Sequence, residues 1–176
     1  MNIIQTDIKD VVVLKPDVFK DSRGYFFESY SEQKYKDIIG DVKFVQDNIS
    51  RSEKNVIRGL HFQAAEYAQG KLCEVIKGRV LDVAVDIRKN SPTFGRHIAF
   101  ELSDENNCLI WIPPGFAHGF SVLSDEAIFH YKCTNVYNKE SERAIIYSDP
   151  DLNIDWKVKD PVVSEKDLQA QAFKNI

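Results

Sequence analysis

The chain has 176 residues, of which 43% are hydrophobic and 28% are charged. This length is sufficient for one domain with a full core, and the composition excludes disordered and fibrous proteins. The 23 basic and 27 acidic residues leave a net charge of -4, which argues against general binding to nucleic acid or to an anionic membrane. We predict a single domain over residues 1–176 that binds any anionic ligand through a local group of cations.

The N-terminal segment Met1–Asp10 carries acidic residues where a secretory signal would have a basic flank and an apolar run. No later segment approaches the roughly 18 apolar residues of a membrane span, so we expect a cytoplasmic protein. The cysteines, Cys73, Cys108 and Cys133, are odd in number and lie in apolar patterns, which is typical of reduced core residues. They predict neither a disulfide nor a zinc site.

The first predicted element is a helix over Ser31–Ile39, with Ser31 as its cap and Gly40 at its end. From Lys43 to about Tyr147, apolar alternation and turn residues predict β-strands. The clearest strands are Lys71–Ile76, Val80–Ile87, His97–Leu102, Cys108–Ile112 and Ala127–Thr134. Ser164, with an acid three residues on, predicts a short C-terminal helix that continues into Leu168–Phe173. Regular short strands without internal repeats indicate an all-β antiparallel jelly roll with short peripheral helices.

The segment Arg58–Gln63 places His61 in a predicted strand, and Lys71 follows eight residues after its end. Strand alternation puts Arg58 and His61 on opposite faces unless the strand contains a bulge, for which Gly59 is the most favourable position. One histidine beside two cations suits removal of a proton from a bound anion. A metal centre would need further histidines, and this segment offers no second one.

Along Val80–Arg88, the even positions place Asp82, Asp86 and Arg88 on one face of a strand. We expect Asp86 and Arg88, near the strand end, to face solvent. For Asp82 the pattern leaves open both a solvated face and the barrel interior.

Several further polar residues are candidates for ligand binding. His118 follows the turn Pro113-Pro114-Gly115 and is suited either to a phosphate contact or to a packed turn. Tyr131 lies in a predicted strand, as core filling or as a phenol whose ordinary pKa of about 10 lets it donate a proton at neutral pH. Gln46, Asp47 and Asn48, together with Arg58, could hold a diphosphate, although each of them taken singly is also explained as an ordinary polar surface residue.

The segment Phe19–Glu28 combines Arg23, three successive aromatic residues and Glu28. This composition suits stacking on a planar base with a nearby phosphate. It is equally compatible with an exposed hairpin that contacts a second subunit.

These segments, in this order, resemble the family of the dTDP-4-dehydrorhamnose 3,5-epimerases, a branch of the cupin superfamily. The resemblance extends from about residue 7 to residue 168. Its matching stretches are Phe19–Glu28, Phe44–Ser50, Arg58–Gln63, Gln69–Leu72, Ser91–Gly95, Ile112–Phe120, Tyr131–Thr134 and Asp149–Asp151. The resemblance implies a cupin-type double-stranded β-helix, a homodimer with exchanged N-terminal strands, and no metal or other cofactor.

The resemblance also implies catalytic roles. His61 matches the general base, Tyr131 the acid on the opposite face, and Lys71 the group that stabilises the enolate oxygen. Asp167 matches the acid that orients the histidine, with Asp82 as a second candidate for that role.

The resemblance further implies a set of substrate-binding residues. Arg23 and Glu28 match positions that reach the site from the neighbouring subunit. Positions lining the diphosphate and sugar pocket are matched by Gln46, Asp47, Asn48, Arg58, His118, Glu142 and, in the tail, Lys166. One departure is Ala64–Tyr67, where many relatives carry prolines, and this puts the selectivity for the sugar in doubt.

The chemistry predicted from this set is epimerisation beside a ketone, which needs a base, a cation at the carbonyl oxygen and an acid on the other face. We expect inversion at C3 and C5 of dTDP-4-dehydro-6-deoxy-D-glucose, giving dTDP-4-dehydro-L-rhamnose. Three alternatives stay open: inversion of one carbon, another nucleotide-linked 4-keto sugar, and a sugar-nucleotide-binding module without turnover. The metal-dependent enzymes of the same superfamily are disfavoured, because Lys71 would repel a metal ion.

Overall fold

A computed structural model describes residues 1–176, and antiparallel strands make up most of it. The strands are β1 Asn2–Gln5, β2 Val12–Lys15, β3 Phe19–Asp21, β4 Gly24–Phe26, β5 Gln46–Glu53, β6 Ile57–Gln63, β7 Lys71–Lys77, β8 Arg79–Asp86, β9 His97–Ser103, β10 Leu109–Ile112, β11 Phe116–Val122, β12 Glu126–Cys133 and β13 Glu142–Ala144. The helices are α1 Glu32–Ile39 and α2 Glu165–Leu168, and short 3₁₀ turns lie at Ala65–Tyr67 and Phe173–Asn175. Neither helix has the length and apolarity needed to cross a membrane.

Two sheets face each other and form the barrel. The six-stranded sheet has the order β1-β2-β10-β7-β12-β5, and the five-stranded sheet has the order β13-β6-β11-β8-β9. Neighbours in both sheets are antiparallel and are mostly distant in sequence, as in a jelly roll. The all-β jelly-roll prediction is confirmed, and each of the predicted strands named above is present with ends shifted by at most one residue.

Apolar side chains fill three layers around these sheets. The largest cluster lies between the sheets and includes Val75, Ile110, Phe120 and Phe129. A second cluster lies on the outer face of the five-stranded sheet, where the C-terminal segment packs through residues such as Trp156. A third lies under α1 on the outer face of the six-stranded sheet. The barrel is therefore covered on both sides.

Two expectations from the sequence are wrong. Asp86 is fully buried rather than solvated, because Arg88, Ser91 and Thr93 fold over its carboxylate and donate hydrogen bonds to it. The C-terminal helix is a single turn that ends at Leu168, because the chain then extends and Gln171 pairs with Ile145. The residues after Leu168 therefore lie outside any α-helix, and Phe173 begins a short 3₁₀ turn.

Candidate active site

A cavity of about 330 Å³ opens at one end of the barrel, between the two sheets. Its wall combines cationic, hydroxyl and amide side chains with few apolar groups. Of the residues predicted for the site, it contains Asn48, Arg58, His61, Lys71, His118, Tyr131 and Glu142. The size is that of a small-molecule site.

A bulge in β6 brings Arg58 and His61 to the same cavity. His118 of β11 pairs with His61, and Phe120 of β11 pairs with Arg58. Between these two pairs β6 has two residues and β11 has one, so β6 contains one extra residue. Gly59, with φ +112°, lies in the bulge, and a Cβ there would come within 2.6 Å of the Gly119 Cα. Strand alternation without a bulge would have separated Arg58 from His61, and the bulge lies at Gly59, the position that the sequence makes most favourable for one. Only glycine fits the close approach to β11 there.

His61 forms a pair with Asp167. Its Nε2 lies 2.6 Å from Asp167 Oδ1, and Asp167 Oδ2 accepts a 3.4 Å hydrogen bond from the Gly59 N–H. Burial alone would raise the pKa of Asp167, but the hydrogen bonds from His61, Gly59 and Ser164 hold it below its usual value. An ionised Asp167 can only accept, so His61 carries its proton on Nε2, and its Nδ1 is left able to accept a proton.

The position of Asp167 depends on α2. Ser164 caps this single turn, with its Oγ accepting a 3.2 Å hydrogen bond from the Asp167 N–H. A bridge between Val56 and Val162 ties the preceding chain to the start of β6. Of the two acids predicted to support His61, Asp167 is the one that contacts it.

Asp82 contacts His118 instead of His61. Its Oδ2 lies 2.8 Å from His118 Nε2, and both side chains are almost entirely buried. Burial lowers the pKa of His118, although the Asp82 carboxylate opposes this shift. The prediction that Asp82 supports His61 is therefore corrected, because β8 lies beside β11 and not beside β6.

Lys71 and Tyr131 lie on neighbouring strands of the other sheet. Lys71 begins β7 and is 8% exposed, and burial lowers the pKa of its ammonium group. Its Nζ lies 5.7 Å from the centre of the Tyr131 ring. Burial raises the pKa of Tyr131 to about 12, so this phenol keeps its proton at neutral pH and can donate it.

Charged residues from three segments meet at the rim of the cavity. Glu142 Oε2 accepts hydrogen bonds from Lys166 Nζ at 2.6 Å and from Tyr137 OH at 3.0 Å. Burial alone would raise the pKa of Glu142, but these two donors lower it. Gln46 Oε1 accepts a hydrogen bond of 2.8 Å from the Tyr137 N–H. Gln46 and Lys166 therefore contact the rim residues Tyr137 and Glu142, but they do not themselves line the cavity.

The sequence analysis missed Tyr137. This side chain lines the cavity and is half exposed, in the loop between β12 and β13. An aromatic residue within the polar stretch Asn135–Ser141 is a signal that would have pointed to it. Ser50, Gln63 and Gln69 also line the cavity and were not predicted.

Three predicted residues lie away from the cavity of their own chain. Asp47 points to the opposite face of β5, since strand residues alternate, and forms an ion pair with Lys132 at 2.9 Å. Arg23 lies at the turn of the exposed β3-β4 hairpin and binds Asp21, and Glu28 pairs with Lys34. The structure therefore does not bring Arg23, Glu28 or the Asp47 side chain into this pocket.

Comparison with known proteins gives one consistent result. Residues 5–175 match the family model described as dTDP-4-dehydrorhamnose 3,5-epimerase. The chain belongs to this family. A dTDP-4-dehydrorhamnose 3,5-epimerase of Shigella flexneri is 53% identical over 174 residues, which is 98% of this chain and 96% of that protein.

Solved structures of epimerases share the fold. A dTDP-6-deoxy-D-glucose-3,5-epimerase of Legionella pneumophila, in complex with dTDP-4-keto-L-rhamnose, is 50% identical with a TM-score of 0.96, and covers 99% of this chain and 94% of its own. A 3'-monoepimerase of Streptomyces bikiniensis, in complex with dTDP-quinovose, is 29% identical with a TM-score of 0.91, and covers 97% of this chain and 87% of its own. The cupin-type fold prediction is confirmed, and epimerases with one or two target carbons share it.

Proposed function

We propose that this member of the epimerase family inverts C3 and C5 of dTDP-4-dehydro-6-deoxy-D-glucose to give dTDP-4-dehydro-L-rhamnose. The observation that carries the proposal is the cavity in which His61, Lys71 and Tyr131 converge from three strands. Relatives about half identical over nearly the whole chain carry the name of this activity. The complex of the Legionella enzyme with dTDP-4-keto-L-rhamnose supports the choice of sugar.

Each proposed role follows from the position and charge of its side chain. His61 Nδ1 takes the proton from the carbon beside the ketone, and the electron pair moves into an enolate whose oxygen lies against the Lys71 ammonium group. Tyr131 donates its phenolic proton to the opposite face of that carbon. The phenolate regains a proton from solvent and His61 releases one, so no net proton is consumed. A second round at the other carbon completes the isomerisation.

The nucleotide part of the substrate needs groups beyond these three. Arg58 lines the cavity and is oriented by a 2.9 Å hydrogen bond from its Nε to Ser52 Oγ, which suits a diphosphate. Asn48, His118, Glu142, Gln46 and Lys166 complete the proposed binding set. Arg23 and Glu28 would approach from the second subunit of a homodimer, which the exposed hairpin supports.

A deuterium-exchange experiment tests the reaction. The purified protein is mixed with dTDP-4-dehydro-6-deoxy-D-glucose in deuterium oxide, and proton NMR follows C3 and C5 while a reductase specific for the rhamnose configuration traps the product. Deuterium at both carbons with trapped product is the expected result. Exchange at one carbon would identify a single-site epimerase, and no exchange would refute the proposal.

Replacing His61 tests the base. His61→Asn should slow exchange at both carbons on the order of 10²- to 10⁴-fold, because no other side chain takes the proton. Binding of dTDP, measured by calorimetry, should stay close to that of the unchanged protein. His97→Asn is the matched control, since His97 lies on β9 outside the cavity. Unchanged exchange in His61→Asn would remove His61 from the mechanism.

A further inference from the structure

The barrel interior buries one cation and one carboxyl group that make no hydrogen bond to each other. Lys71 is 8% exposed, and Asp82, in the middle of β8, is fully buried. One Asp82 oxygen binds His118, whereas Oδ1 is buried without any hydrogen-bond partner. Burying either charge alone costs several kcal/mol, so each needs compensation from its surroundings.

The groups that face Lys71 come from four strands. Cys133 on β12 is paired with Lys71 across the sheet, and the centre of the Tyr131 ring lies 5.7 Å from the Lys71 Nζ. The Cys73 thiol, two residues along β7 from Lys71, lies within 4.8 Å of the Asp82 carboxyl group on β8 and of the His118 ring on β11. On the remaining neighbour, β10, the residue paired with Lys71 is the apolar Ile112. Asp82 is the only carboxyl group in this set.

The other titratable groups of this set are uncharged near pH 7. Burial raises the pKa of the Cys73 and Cys133 thiols, and it raises the pKa of the Tyr131 phenol to about 12. Burial also lowers the pKa of His118, which favours the neutral imidazole. No second anion is therefore available to balance Lys71.

We propose that Asp82 is a positioning residue whose buried charge keeps Lys71 protonated at the base of the cavity. This inference rests on the proposed function, in which Lys71 stabilises the enolate oxygen. A neutral amine at that position could not offset the negative charge that develops on the oxygen. Asp82 thus acts on the cation of the site, and Asp167 acts on its base.

The surroundings of Lys71 agree with this division. Burial lowers the pKa of Lys71, and Cys73, Cys133 and Asp82 oppose this shift; of these three groups only Asp82 is a carboxyl group, and burial raises the pKa of both thiols. The carboxylate also accepts a hydrogen bond from His118, which fixes the Asp82 side chain. Asp82 Oδ1 is buried without a hydrogen-bond partner and therefore needs a nearby positive charge as compensation, and in a medium of low dielectric constant that attraction is strong.

The pH dependence of deuterium exchange in Asp82→Asn tests the proposal. Loss of the countercharge should move the alkaline limb, where Lys71 loses its proton, about one to two pH units lower. The acid limb should stay in place, because His61 and Asp167 are untouched. An alkaline limb that does not move in Asp82→Asn would overturn the proposal.

Asp86→Asn is the matched control. Asp86 is an equally buried carboxylate four residues along the same strand and on the same face, but it binds Arg88, Ser91 and Thr93. This variant should lose stability and leave the alkaline limb unmoved. A similar shift in both variants would mean that the effect is structural, and it would also overturn the proposal.

A double-mutant cycle provides a test that does not require turnover. Lys71→Met, Asp82→Asn and the combined variant are unfolded in urea at neutral pH. If the two charges balance each other, the combined variant should unfold at a higher urea concentration than either single variant, even where Asp82→Asn alone folds poorly. Additive losses would overturn the proposal. Because substrate is not involved, this result stays distinct from failure of the proposed function.

Discussion

At the scale of single residues, two histidines with similar partners lie in different environments. His61 and His118 each bind a carboxylate through Nε2, at 2.6 and 2.8 Å. The side chain of His61 is 34% exposed, whereas that of His118 is 6% exposed. His61 can therefore reach a substrate and exchange its proton with solvent. His118 lies in the cavity wall but is almost entirely buried, and burial favours its neutral form.

The partner of His61 offers a prediction at this scale. In Asp167→Asn the amide no longer fixes the proton on His61 Nε2, so the base is no longer held in the productive tautomer. We expect exchange at C3 and C5 to slow on the order of 10²- to 10⁴-fold. Proton NMR in deuterium oxide measures both rates.

Glu165→Gln is the control for this variant. Glu165 is an exposed acid in the same helical turn and does not contact His61. Exchange should continue at its normal rate. If Asp167→Asn were as active as this control, the His61 and Asp167 pair would be only a structural contact.

Residue identity alone could not separate the two acids. The sequence pattern shows Asp82 on the polar face of a strand and Asp167 next to a helix cap, and both were candidates for supporting His61. The choice depends on which strands are neighbours, since β8 lies beside β11 and α2 packs on β6. Neither relation can be read from local periodicity.

At the scale of elements, the end of β8 and the following loop form one hydrogen-bonded unit around Asp86. Arg88 donates two hydrogen bonds to Asp86 from its side chain, and Ser91 and Thr93 donate one each. Burial alone would raise the pKa of Asp86, but these donors hold it well below its ordinary value. The sequence pattern places Asp86 on a polar face but gives no sign of the loop that folds over it.

The stability of this unit should depend on pH. A carboxylate with a lowered pKa contributes stability that is complete above its ordinary pKa of about 3.8 and is lost as the pH falls towards the lower folded value. Asp86→Asn should therefore lose about 1.5–3 kcal/mol at pH 7. The difference in free energy of unfolding between this variant and the unchanged protein should become smaller as the pH drops below about 3.8.

Urea unfolding at pH 7 and near pH 3 measures this difference. Asp160→Asn is the control, since Asp160 is exposed and its replacement should change stability by less than about 0.5 kcal/mol at both values. If the difference in free energy of unfolding between Asp86→Asn and the unchanged protein were as large near pH 3 as at pH 7, the Asp86 charge would be excluded as its source.

At the scale of the whole molecule, the β3-β4 hairpin is a segment whose aromatic side chains are not buried against the rest of the chain. Its two strands form a separate sheet, and Phe19, Tyr25 and Phe26 are 65%, 54% and 69% exposed. Arg23, at its turn, has a side chain that is 88% exposed. Exposed aromatic residues grouped in this way are typical of a protein interface. This supports the proposed homodimer, in which the hairpin reaches the cavity of the second subunit.

Subunit mixing tests this arrangement. Arg23→Ala and His61→Asn should each be nearly inactive, but a mixed dimer has one cavity with an intact His61 and an intact Arg23 from the other chain. After random exchange of subunits, about one quarter of wild-type activity should return. The deuterium-exchange rate before and after mixing measures the recovery.

The control mixes His61→Asn with Asp167→Asn, whose defects lie in the same cavity, and no activity should return. Absence of recovery in the first mixture, with mixed dimers demonstrated by native mass spectrometry, would place Arg23 outside the partner's site.

The sequence by itself determined the strands, the class of fold and Gly59 as the most favourable position for a bulge, because periodicity and the conformational freedom of glycine are local properties. Side-chain chemistry supplied the residue types proposed for the site. The sequence also determined the family, through segments that extend over most of the chain. The tertiary structure decided which acid contacts which histidine, that Asp86 is buried, and that Tyr137 belongs to the rim. These depend on which distant strands and loops become neighbours, and the free energy that selects those neighbours comes from packing of the whole barrel.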